Sequence, residues 1–146
     1  MFKPHVIHNP KKFRQHLMLD YTMQIQGALS GGMLYLNDCM SVYRYMAEGS
    51  WTRRVKTSSE KRVELFKTKQ KMLDILNEET DRKYDAVIER RKLKNEFLHK
   101  LEQFDFKDVF SKKYKGVYKE FSFSERVKIR IKVCFPFLVT LKWKLF

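Results

Sequence analysis

The side chains here that could do chemistry are few and scattered. His5 and His8 form an HxxH pair, but no acidic partner stands at metal-site spacing, and Pro4 and Pro10 disfavour a regular helix there. His16 and His99 are isolated. Cys39 and Cys134 lie far apart and neither belongs to a CxxC pair, so they read as reduced packing thiols rather than a disulfide or a metal site. There is no Walker A sequence, no GxGxxG and no GxSxG, and no Ser-His-Asp or Cys-His set assembles from local signals. Among the carboxylates, Asp20 stands where an apolar helical pattern is running; read alone it is an ordinary helical Asp on a polar face.

The elements that would position these residues follow from periodicity. Phe13, Leu17, Tyr21, Ile25 and Ala28/Leu29 keep helical spacing, with Asn9 and Pro10 as an entry signal and Gly31-Gly32 as a stop. Met33 to Leu36 and Met40 to Tyr45 read as two short strands around the turn pair Asn37-Asp38. Thr57-Ser58-Ser59-Glu60 has the form of a capping box, followed by Val63, Phe66, Leu73 and Leu76 on one helical face. A second stripe runs from Tyr84 through Val87/Ile88, Phe97/Leu98 and Leu101 to Phe104, with the break expected at Asn77 to Asp81. Gly116 is expected at a bend. Ser122-Phe123-Ser124-Glu125 starts a last helix, although Val127, Ile129, Ile131 and Val133 also alternate as a strand would.

The run Asp20-Tyr21-Thr22-Met23-Gln24-Ile25-Gln26-Gly27-Ala28-Leu29-Ser30-Gly31-Gly32-Met33-Leu34-Tyr35-Leu36 is followed by Asp38-Cys39-Met40-Ser41-Val42-Tyr43-Arg44-Tyr45-Met46-Ala47-Glu48-Gly49-Ser50-Trp51-Thr52. This ordered series resembles the acceptor-side end of inverting family-2 glycosyltransferases of bacterial surface-polysaccharide synthesis. In that family an Asp opens a helix, a Gly-containing turn leads to a strand, and a Met-Ser-Val-Tyr-Arg strand precedes Gly-Ser-Trp-Thr. The resemblance implies an α+β, mostly helical chain: the C-terminal fragment of a GT-A nucleotide-diphospho-sugar transferase fold, with a short strand pair and a helical basic tail. Residues 1–52 would be the acceptor-side end of that domain and residues 53–146 a basic helical extension.

The resemblance also implies roles. Asp20 matches the catalytic base, which takes the acceptor hydroxyl's proton as that oxygen attacks the anomeric carbon. Leu19 stands where members usually carry Gly or Glu. Tyr43, Arg44 and Trp51 would bind substrate. Arg44 would lie near the pyrophosphate leaving group, or equally pair with an acidic neighbour. The Trp51 indole would stack on a sugar ring or anchor packing. Relatives place a His two residues after the Arg; Met46 stands there, and no metal ligand is expected. The complete enzymes hold a nucleotide sugar and Mg or Mn through an Asp-x-Asp motif. These residues contain none, since Asp105-Phe106-Lys107-Asp108 has the wrong spacing and Asp81 and Asp85 are too far apart. No cofactor is therefore expected in this chain, and no turnover without the N-terminal half.

Composition bounds the partners. The chain has 146 residues, enough for about one domain with a modest core. Lys and Arg outnumber Asp and Glu by 31 to 17, so a net charge of +14 favours polyanions. The expected partners are a glycan or lipid-linked acceptor, the missing N-terminal half, and an anionic membrane surface. The alternative reading is a non-enzymatic basic helical module that binds an anionic membrane surface or nucleic acid, although no nucleic-acid recognition module is discernible. The N-terminus has no apolar h-region, and no apolar run approaches the roughly 20 residues that span a bilayer. The expected location is cytoplasmic, peripheral at the inner face of the membrane. Lys128, Arg130, Lys132, Lys142 and Lys144 flank Cys134-Phe135-Pro136-Phe137-Leu138 and Trp143, the composition of an interfacial anchor or of a segment that packs on a neighbouring domain.

Overall fold

The computed structural model describes residues 11–16, 20–32, 34, 37–38 and 42–137. Its internal contacts divide the chain into one unit through Asp85 and a second from Ala86 onward.

In the first unit, α1 (Lys12–His16), α2 (Asp20–Gly31), α3 (Trp51–Thr57) and α4 (Ser59–Glu79) are helical. Helix α1 is too short to be stable alone, and it packs on α2 and α4. Its exposed start is satisfied from α4: the Glu79 carboxylate accepts the backbone N–H of Lys12 at 3.1 Å and of Phe13 at 3.2 Å. A carboxylate is well placed there, because the first N–H groups of a helix lack internal partners and carry partial positive charge. Phe13 is buried, as are Met72, Leu73 and Leu76 along one stripe of α4. Buried Gln26 of α2 accepts from the Lys11 backbone N–H at 3.3 Å and from the Arg14 guanidinium at 3.4 Å. Helix α2 stops as the sequence predicts. Gly31 is its last residue and Gly32 adopts φ +85°, a left-handed conformation that glycine takes without strain.

The expected strand pair is not found. Among the described residues the elements are all helical and there is no strand, so the expected α+β architecture of the GT-A type with a short strand pair is corrected: it is not shown. Met33, Tyr35, Leu36 and Cys39 to Ser41 lie outside the described residues; Asp38 sits in a bend, and Val42 to Arg44 are irregular. The described residues of the two runs have no neighbouring strand to pair with and little to bury against. Leu34 and Val42 are 82% and 91% exposed, and short β-prone runs become strands only on a neighbouring sheet.

A second correction concerns α4. Thr57 is the last residue of α3, and its hydroxyl donates to the Arg53 carbonyl at 2.8 Å. Ser58 is the N-cap of α4, accepting the Lys61 N–H at 3.2 Å. The cap is real but one residue later than the Thr57–Glu60 pattern suggested. The helix ends within the expected break. Asp81 and Arg82 take positive φ, the Arg82 N–H reaches back to the Asn77 carbonyl at 2.9 Å, and Asn77 Nδ2 donates to Asp85 Oδ1 at 2.6 Å.

Helix α5 (Asp85–Glu102) opens on the last residue of the first unit and otherwise belongs to the second, which also contains a 3-10 turn (Lys112–Tyr114), α6 (Lys115–Glu120) and α7 (Phe123–Cys134). Phe97, Leu101, Val109, Tyr114, Val117 and Ile129 form its core. The Phe97 ring tilts against Tyr114 and Phe121, with centroids 5.6 and 5.7 Å away. Gly116 lies inside α6 rather than at a bend. Ser122 and Glu125 make a reciprocal capping box, and the alternation that follows them is helical. Ile129 and Val133, four apart, turn inward, while Val127 and Ile131 turn outward; a strand would have put all four on one face. Among the described residues no helix is long and apolar enough to cross a membrane.

Candidate functional site

Asp20 is the first residue of α2, and its side chain is exposed. A carboxylate in a helix's first turn is favoured by the dipole whatever else it does. Tyr43 and Arg44 precede a turn at Tyr45-Met46, and Trp51 opens α3. Two features of the local sequence build this corner. Gly49 adopts φ +71°, and Ser50 caps α3 by accepting the Arg53 N–H at 3.3 Å. The Arg54 guanidinium closes the turn on the Gly49 carbonyl at 2.8 Å. The Gly-Ser part of Gly-Ser-Trp-Thr is thus accounted for by backbone geometry.

The corner is tied together by two phenols. The hydroxyls of Tyr43 and Thr52 share a hydrogen bond. Lys56 donates to the Tyr45 hydroxyl, and its ammonium also lies 4.5 Å from the centre of that ring, within cation–π reach. Tyr43, Arg44 and Trp51 are all exposed. The structure therefore brings Tyr43 next to the residue that follows Trp51, with Arg44 beside it in sequence. No hydrogen bond or ion pair joins Asp20 to Tyr43, Arg44 or Trp51 among the described residues. Sequence reading missed Thr52, Tyr45 and Lys56. The signal was the Gly49-Ser50 corner, which folds the start of α3 back over the preceding segment.

An open cavity of about 360 Å³ lies in the same unit, lined by Phe13, Gln26, Leu29, Glu79, Lys83 and Tyr84 among others. Glu79 is engaged in capping α1, and none of the four sequence-selected residues lines the cavity. Among the described residues no group of three or more His, Cys, Asp or Glu gathers as a metal cage.

Perturbed titrating groups lie in the second unit. Burial opposes ionisation of Glu96, yet hydrogen bonds from Lys113 and Tyr114, both 2.6 Å, hold its carboxyl below the usual range. Burial and the Glu96 hydrogen bond in turn raise the Tyr114 phenol. Arg90 at 2.6 Å and Lys94 at 3.0 Å depress Glu120 in the same way. These groups fasten α5 to the 3-10 turn and to α6, and they read as structural ties rather than catalysts. No protein-family model, no curated protein and no solved structure matches the chain.

Proposed function

We propose that this chain is the acceptor-side part of an inverting glycosyltransferase of bacterial surface-polysaccharide synthesis, which moves a sugar from a nucleotide-sugar donor to a glycan or lipid-linked acceptor. The ordered series from Asp20 to Thr52 carries the proposal. Two local features support it: Asp20 heads a helix with its carboxylate open to solvent, and Tyr43 is fastened to the Gly49–Thr52 corner.

In the proposed reaction Asp20 takes the proton from the acceptor hydroxyl as that oxygen attacks the anomeric carbon, and the nucleoside diphosphate leaves from the opposite face. Arg44 offers a guanidinium to the negative charge that develops on the leaving group, and the Trp51 indole offers a flat face to a pyranose ring. Donor binding falls to an Asp-x-Asp-bearing segment outside these residues. Proton removal alone, without a positioned leaving group, gives little acceleration.

Two observations test this reading. The purified chain, given nucleotide sugars and glycan acceptors, is expected to transfer nothing; turnover would refute its dependence on a donor-binding segment. The reading frame upstream of Met1, open or frameshifted, is expected to encode an Asp-x-Asp-bearing segment. Unrelated sequence in every upstream frame would count against the proposed origin.

A further inference from the structure

Helix α7 carries an apolar face that stays exposed among the described residues. Ile129 is buried and Val133 half-buried on the inner side. Phe123, Val127 and Ile131 recur every four residues on the opposite side, all exposed, with Phe123 at 77%. Phe135 and exposed Phe137 extend the apolar surface just past the helix end. At 100° per residue, Phe123, Val127 and Ile131 fall within one quarter of the helix circumference. Lys128 borders that sector on one side and Arg130 on the other, both exposed.

Among the described residues neither margin is neutralised by an ion pair, although the Glu125 carboxylate feels the Lys128 charge. Glu125 is the one acidic residue of α7, and it is spent in the capping box with Ser122. No ion pair joins Lys128 or Arg130 to a carboxylate among the described residues. The Arg130 guanidinium is steadied at the edge by the Tyr118 hydroxyl at 3.1 Å. Lys132 instead folds over the Phe104 ring, 4.9 Å from its centre, where burial lowers its pKa.

We propose that α7 is an interfacial helix that docks on an anionic phospholipid surface, its Phe123–Val127–Ile131 stripe in the headgroup–acyl boundary and Lys128 and Arg130 against the phosphates. An apolar stripe between cationic margins is the arrangement that binds such surfaces. A second copy of the chain fits less well, because pairing two such stripes brings their cationic margins together. Nucleic acid fits less well too, since Val127 and Ile131 offer no ring faces for base stacking. The inference stands apart from the glycosyltransferase reading and does not depend on it.

Flotation of the full chain with vesicles tests it. Binding is expected to phosphatidylglycerol-containing vesicles, weakening with salt, and at least tenfold less to pure phosphatidylcholine. Phe123→Ser, Val127→Ser and Ile131→Ser together are expected to cut binding at least tenfold while helix content and melting temperature hold, because all three side chains already face solvent. Lys128→Glu with Arg130→Glu should likewise release the chain from anionic vesicles. Equal binding to neutral vesicles, unchanged binding of the folded stripe variant, self-association through the stripe without lipid binding, or nucleic-acid binding without lipid binding would each overturn the proposal.

Discussion

Gly49 and Ser50 set the direction in which α3 leaves the preceding segment, and both can be probed singly. Gly49 sits at φ +71° with open space around its Cα, so Gly49→Ala meets no clash but pays the left-handed backbone cost of roughly 1 kcal/mol. Ser50→Ala removes the cap on the Arg53 N–H and is expected to cost about 1 kcal/mol. Urea unfolding of each variant reads both effects. Glu96 gives a pH prediction. Its folded carboxyl titrates below the unfolded one, so between the two values the unfolded chain holds more protons. The Glu96 contribution is then full above the ordinary glutamate value of about 4.3 and is lost as pH falls through the folded value. Melting curves recorded from neutral to acid pH should show this fall, and Glu96→Gln should flatten it. At this scale the sequence was partly legible. Ser122-Phe123-Ser124-Glu125 starts the last helix as read, and does so with a complete capping box within four residues. Thr57 offered the same pattern, but Ser58 beside it could cap equally well, and nothing local decides between adjacent hydroxyls.

Element types were legible wherever a stripe had a partner to bury against. The Leu73–Leu76 and Phe97–Leu101 stripes became the inner faces of long helices. Substituting Phe97, fully buried at the centre of the second unit, tests how far that core depends on it: Phe97→Ala should cost about 3–5 kcal/mol, measured by chemical denaturation. Val42 to Tyr45, the described part of the second expected strand, is not a strand, because β-branched and aromatic residues mark one only when a neighbouring sheet supplies hydrogen bonds and a surface. Val42 and Tyr43 have neither among the described residues. Far-UV circular dichroism should accordingly show a helical spectrum with no added β signal. The Val127–Val133 alternation had the opposite ambiguity, and the capping box resolved it by starting a helix four residues earlier.

For the whole molecule, composition foretold a basic, helix-rich chain, and contacts divide it after Asp85, although its composition changes near Arg53. What composition could not foretell was which faces stay uncovered, because exposure depends on packing between distant segments. The central claim remains the role of Asp20. In the chain joined to the donor-binding segment proposed to precede it, transfer of a labelled sugar to acceptor should be measured for the wild type and for Asp20→Asn. The wild type is predicted to transfer, and Asp20→Asn to lower kcat about 10²–10⁴-fold, the usual worth of a general base, with its circular dichroism unchanged. Equal transfer by both proteins would contradict the account.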